Sequence, residues 1–138
     1  MKKGSEAVTT MGAKILVVDD EPSLADTLAA IFQRAGYTAA AVYSGEEALA
    51  FVAAHQPSLV VTDVIMAGMD GIALAKIIQT SCPSCRVLLF SGNADTQELL
   101  EAAQQEGHSF EVLAKPITPP QILAKVASLL DQRCSSQV

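Results

Sequence analysis

The sequence is short of positive charge. It has nine Lys and Arg against fifteen Asp and Glu, for a net charge of −6. Non-specific nucleic-acid binding needs a basic face, and so does attachment to an anionic bilayer. Neither a direct nucleic-acid partner nor a membrane partner is therefore expected. Long apolar runs are missing as well, since none approaches the roughly 20 residues that span a bilayer. The opening "MKKGSEAVTT" has two lysines, but no apolar core of a signal peptide follows them. Cysteine is scarce and odd in number, three in 138 residues, which fits a reducing compartment better than a disulfide framework. These absences point to a cytoplasmic chain.

Half of the residues are hydrophobic (50%), which is too many for a largely disordered chain. The length suits one domain, and folding at that size buries roughly two-thirds of the unfolded surface. Residues 1–12 are small and polar without periodicity, so a flexible N-terminal tail is expected there. A second tail is expected over 132–138, leaving a domain at 13–131.

Between the tails, strand-like runs alternate with helical patterns. "KILVV", "YTAAAV", "SLVVTD", "RVLLFSG" and "FEVLAK" read as strands, the first and third as types buried on both faces. A helix starts near Pro22, with Leu24, Leu28 and Ile31 on one face, and Gly36 ends it. "GEEALAFVAAH" is a second helix. "GIALAKIIQTS" is a third, with Leu74, Ile77 and Ile78 sharing a face. "DTQELLEAAQQEG" is a fourth with a thin apolar stripe, and "PPQILAKVASLLDQ" a fifth with Ile122, Val126 and Leu129 together. Strict alternation implies right-handed crossovers and a parallel α/β sheet covered on both faces. In such a sheet, ligands bind beyond the carboxyl ends of the strands.

Those ends carry Asp19 and Asp20, Asp63, Ser91, and Lys115 before Pro116. Two like charges about 4 Å apart repel by roughly 4 kcal/mol at an effective dielectric near 20, and one lysine cannot offset three acids. A hard divalent cation with oxygen ligands can, so a Mg²⁺ site is expected. Helix capping accounts for one acid of the run, and Glu21, just before Pro22, suits that role. A carboxylate can also act as a nucleophile toward a phosphoryl group, with the metal, Lys115 and the Ser91 hydroxyl facing the phosphoryl oxygens. Asp63, at mid-sheet, is the expected nucleophile.

The acidic pair, the stretch "TDVIMAGMDG", Ser91 and "AKP" match in type, order and separation. By them the chain resembles the receiver domain of bacterial two-component response regulators over about residues 13–131. The resemblance implies a flavodoxin-like five-stranded sheet in order 2-1-3-4-5. It implies that Asp63 accepts a phosphoryl group from a histidine kinase or histidine phosphotransfer protein and signals to a downstream protein or output domain. It also implies Mg²⁺ on Asp20, Asp63 and the backbone carbonyl of Ile65, with Asp19 acting through water. Lys115 would pair with the acyl phosphate across a cis Lys115–Pro116 bond. Two positions depart from the family. Ala67 stands where a proline is usual, which should loosen the loop after Asp63. Val112 stands three before the lysine, where an aromatic usually reorients on activation, and Phe110 lies one pleat away.

Two rivals remain. An aspartyl-phosphate phosphatase or phosphotransferase would place a second Asp two residues past the nucleophile, where this chain has Ile65. A flavin carrier would have a Ser/Thr-rich phosphate loop where this chain has acids. "CPSC" sits between a helix and a strand, so Cys82 and Cys85 read as a plain connecting loop. Asp70-Gly71 reads as a turn and helix cap. Gly92 and Asn93 should let the loop after Ser91 approach a phosphate. His55 and His108 are expected to face solvent. No output domain is expected in this chain, which reads as a free-standing receiver or one cut from a longer regulator.

Overall fold

Unbroken runs of Val, Leu and Ile suit strands with no wet face, and here they build the sheet centre. A computed structural model of the protein describes residues 13–92, 95–108 and 110–135. The elements are β1 (Lys14–Val18), α1 (Pro22–Arg34), β2 (Thr38–Val42), α2 (Gly45–His55), β3 (Leu59–Asp63), α3 (Gly71–Ser81), β4 (Arg86–Ser91), α4 (Asp95–Gln105), β5 (Glu111–Ala114) and α5 (Pro119–Ser135). All ladders are parallel and the order is β2-β1-β3-β4-β5. This is the flavodoxin-like arrangement, with its switch point between β1 and β3. α5 runs past residue 131, where a loose tail is expected, while residues 1–12 and 136–138 lie outside the described residues. No described helix is long and apolar enough to cross a membrane.

Strand alternation divides the core in two. Ile15, Val17, Leu59, Val61, Leu88 and Phe90 meet Ala25, Ala29 and Phe32 of α1 and Ile122, Val126 and Leu129 of α5. Leu16, Val18, Val60, Val87 and Leu89 meet Ala48 and Val52 of α2, Leu74, Ala75 and Ile78 of α3, and Ala103 of α4.

Two helix faces differ from the sequence expectation. In α1 the buried stripe is Ala25, Ala29 and Phe32, one position round from Leu24, Leu28 and Ile31, and Leu24 is 44% exposed. The alanines let the helix axis approach the sheet, and Phe32 fills the space at its end. The leucine stripe instead lines an outward cavity of about 600 Å³ shared with Lys115, Pro116 and Ile117. In α3, Leu74 and Ile78 are buried as expected, but Ala75 completes the face and Ile77 is 41% exposed.

Caps fix where the helices begin. Asp70 accepts the Ala73 N–H at 2.8 Å and starts α3, as the Asp-Gly pair suggests. Glu21 occupies the N-cap position of α1, but its side chain makes no capping bond. Its own N–H instead donates to Asp19 Oδ1 at 3.0 Å, so Asp19 organises this turn.

Candidate functional site

Parallel strands all finish at the same edge, which brings the chemistry-bearing residues together. Asp19 follows β1 and is buried, with 2% of its surface exposed. Asp63 ends β3 at the neighbouring position, its side chain 13% exposed. Lys115 follows β5, and its Nζ donates to Asp63 Oδ2 at 2.9 Å. The other Asp63 oxygen, Oδ1, accepts the Ile65 N–H at 3.3 Å. Ser91 ends β4, half-buried, and its carbonyl oxygen accepts the Lys115 N–H at 3.0 Å. The Lys115–Pro116 bond is cis, as the resemblance implies.

Close backbone approach explains two glycines. A Cβ on Gly92 would stand 3.0 Å from Cδ of Lys115, so the missing side chain leaves the lysine stem its path to Asp63. A Cβ on Gly71 would collide with the Asp63 carbonyl oxygen, so only glycine lets α3 start against the end of β3. Asn93, expected to help the Ser91 loop reach a phosphate, lies outside the described residues.

The charges are unbalanced. Burial raises the Asp19 pKa above its ordinary value, the Glu21 N–H lowers it, and the charge on Asp63 raises it again. Lys115 opposes the last effect and Asp20 adds to it. A buried carboxylate held among like charges is the electrostatic signature of a site that a hard cation would relieve. The donor atoms fit, since all are oxygens. Their arrangement is more open than expected: among the described residues no three His, Cys, Asp or Glu side chains gather at metal-binding range. Asp20 is engaged elsewhere, its Oδ2 accepting the Ala67 N–H at 2.9 Å. Ala67 thus ties its loop down through a backbone donor that proline lacks, contrary to the loosening expected of it. Sequence reasoning missed this contact because a backbone N–H leaves no trace in residue type.

Around β5 the expectations are partly revised. Val112 is half-buried against the α2–α3–α4 side of the core. Phe110 stacks on His108, with ring centroids 6.1 Å apart and planes 5° from parallel. His108 is half-buried and its Nδ1 lies 3.0 Å from Gln79 Oε1, so it does not simply face solvent. Its place between α3 and β5 gives it a ring and an amide to pack on. His55 is exposed, as expected.

Residues 15–127 match the family model of the response regulator receiver domain. The DNA-binding response regulator MtrA of Mycolicibacterium smegmatis is 29% identical over 121 residues, 88% of this chain and 52% of the relative. The alkaline phosphatase synthesis transcriptional regulatory protein PhoP of Bacillus subtilis is 32% identical over 120 residues, 87% of this chain and 49% of the relative. The chain therefore spans about half the length of these curated relatives. Among solved structures, a response regulator receiver domain protein from Clostridium thermocellum superposes with a TM-score of 0.78 at 26% identity, covering 91% of this chain and 99% of that one. NtrX from Brucella abortus, in complex with ATP, gives a TM-score of 0.81 at 26% identity over 91% of this chain and 28% of that one. Matched from β1 into α5 in both sequence and fold, the chain belongs to the response regulator receiver domain family.

Proposed function

We propose that the chain is a phosphorylation-dependent signalling switch. Asp63 accepts a phosphoryl group from a histidine kinase or a histidine phosphotransfer protein, and the added charge alters the surface presented to a downstream protein or output domain. The observation that carries this reading is Asp63 itself, a carboxylate at mid-sheet with the Lys115 ammonium on one oxygen and an acid-rich turn beside it.

The chemistry follows from these contacts. One carboxylate oxygen of Asp63 attacks phosphorus, the P–N bond of the phosphohistidine breaks, and the imidazole leaves. Lys115, already 2.9 Å from Asp63, lies beside the acyl phosphate and offsets part of its charge. The Ser91 hydroxyl offers a donor to another phosphoryl oxygen. Receiver domains generally bind Mg²⁺ at the phosphorylation site. Here Asp19, Asp20, Asp63 and the Ile65 carbonyl would hold the ion, which supplies charge neutralisation to the transferring oxygens. No external substrate is turned over; the chain promotes only its own phosphorylation and dephosphorylation. The deficit of basic residues supports action through protein partners in the cytoplasm without direct contact to nucleic acid or membrane.

Labelling with acetyl phosphate tests the reading. The wild type should gain one phosphoryl group in Mg²⁺ and very little in a chelator, and Asp63→Asn should gain none. Full labelling of Asp63→Asn, seen by intact mass, would overturn the assignment.

A further inference from the structure

At the opposite edge of the sheet from Asp63, the connection from α3 to β4 reads Cys82-Pro83-Ser84-Cys85. It is a tight turn closed by the Cys85 N–H on the Cys82 carbonyl oxygen at 2.9 Å. Pro83 suits the first corner of such a turn because its φ is already set. Pro83 and Ser84 face solvent, while both cysteines turn inward, 7% and 5% exposed. Their sulfurs lie 2.6 Å apart. The turn thus holds two thiols against each other with their backbone already drawn together.

The two thiols are not equivalent. Cys85 Sγ donates to the Pro57 carbonyl oxygen at 2.9 Å and so keeps its proton in a fixed hydrogen bond. Cys82 Sγ instead has the Ser84 hydroxyl 3.8 Å away. A metal reading lacks ligands, since among the described residues no third His, Cys, Asp or Glu joins the pair. Two buried thiols packed only as small apolar side chains would not need a common turn to bring sulfur onto sulfur.

We propose that Cys82 and Cys85 form a reversible two-electron redox site, closed by hydroperoxides and reopened by dithiols. Cys82, as the thiolate, attacks the peroxide oxygen; the O–O bond breaks, leaving a sulfenic acid on Cys82 and releasing an alcohol or water. Cys85 sulfur then displaces the hydroxyl, which leaves as water with the Cys85 proton. Overall two thiols lose two electrons and two protons, and the peroxide is reduced to an alcohol and water. A dithiol reverses the change by thiol–disulfide exchange and is itself oxidised to a disulfide. The closed form fastens the end of α3 to the start of β4.

The full chain carrying Cys134→Ser serves as the test, so that no third thiol competes. After hydrogen peroxide treatment and alkylation in denaturant, trypsin releases the single peptide Ile77–Arg86, which holds both cysteines. The expected peptide is two hydrogens lighter and unalkylated, and dithiothreitol before alkylation restores two labels. Equilibration across ratios of oxidised to reduced dithiothreitol should close the pair in the folded chain at a ratio at least about tenfold lower than in urea, because the fold holds the sulfurs together. Cys82→Ser should give no light peptide. Oxidation only to sulfinic or sulfonic acid would overturn the proposal. So would an equal or higher closing ratio in the folded chain than in urea, a comparison that does not depend on how well the variant folds.

Discussion

Two helices leave the edge that carries Asp63 side by side, and they are attached very differently. α3 begins where the Asp63 loop ends. Gly71 lies against the Asp63 carbonyl, Gly71 N–H bonds to Val64 O at 2.8 Å, Asp70 caps the first turn, and Ile72, Leu74, Ala75 and Ile78 are buried. α4 begins beyond Ser91. Of its described side chains only Ala103 is buried, and Leu99 is 42% exposed. Lys76 of α3 reaches Glu106, in the turn just after α4, at 2.6 Å, and exposed pairs of this kind contribute little. The difference separates roles. α3 fixes the end of β3 that carries Asp63, whereas α4 is the less firmly docked element, which the proposed switch would displace through Ser91.

The largest test of this contrast is stability. Ile78→Ala, which empties a fully buried site, should cost about 2–5 kcal/mol in denaturant unfolding. Leu99→Ala, on the exposed face of α4, should stay within about 0.5 kcal/mol. Similar losses from both would mean that α4 is docked as firmly as α3.

Phosphorylation should then act on the looser helix. In the proposed switch, a phosphoryl group on Asp63 would add charge and acceptor oxygens there. Drawing the Ser91 hydroxyl toward them pulls the segment that leads into α4. Hydrogen exchange should change by up to about tenfold, or about 1.4 kcal/mol, within residues 91–107, and change little in 71–81. Equal changes in both helices would erase the distinction.

The loop ahead of α3 offers a finer test. Ala67→Pro removes the N–H that holds Asp20 Oδ2. A net hydrogen bond is worth about 0.5–1.5 kcal/mol, so freeing Asp20 should tighten Mg²⁺ binding by roughly 2- to 12-fold in a calorimetric titration. Unchanged or weaker binding would show that the tie does not compete with the ion.

Much of this was legible in the letters. The sheet was, because Val17, Val61 and Leu88 lie in apolar runs that only a doubly covered strand explains. So was the meeting of Asp63 and Lys115 at one edge of the sheet, because both stand at the ends of buried runs in a parallel sheet. The packing faces of α1 and α3 were harder to read. Leu24 and Ile77 outweigh Ala25 and Ala75 in hydrophobicity, yet the small residues set the distance to the sheet. The Glu21 assignment failed because the helix start is organised by Asp19 through a backbone donor. The state of Asp20 was hidden for the same reason. Cys82 and Cys85 stand three apart in sequence, and only the turn reveals that their sulfurs meet.

The smallest expected effect is at Val112, which decides whether β5 relays the signal. In β5 Val112 pairs in register with Leu89 of β4, two residues before Ser91. Its half-buried side chain packs on the same side of the sheet as α4. A relay through this position needs a side chain that changes rotamer and fills the space vacated near Ser91. Valine has one small branched group with restricted χ1, so it can neither swing nor fill such a volume. Phe110, the ring just before β5, is already stacked on His108. The route left open runs along the chain from Ser91 into α4. Val112→Ala should therefore cost about 1 kcal/mol of stability or less, as a partly buried truncation. The ratio of partner binding with and without phosphate should change by less than about twofold, well under a typical allosteric coupling. Binding of phosphorylated and unphosphorylated chain to the same partner measures that ratio directly. If Val112→Ala removes the phosphate-dependent gain while Asp63 still labels fully, β5 is the relay, and the contrast between α3 and α4 describes stability alone.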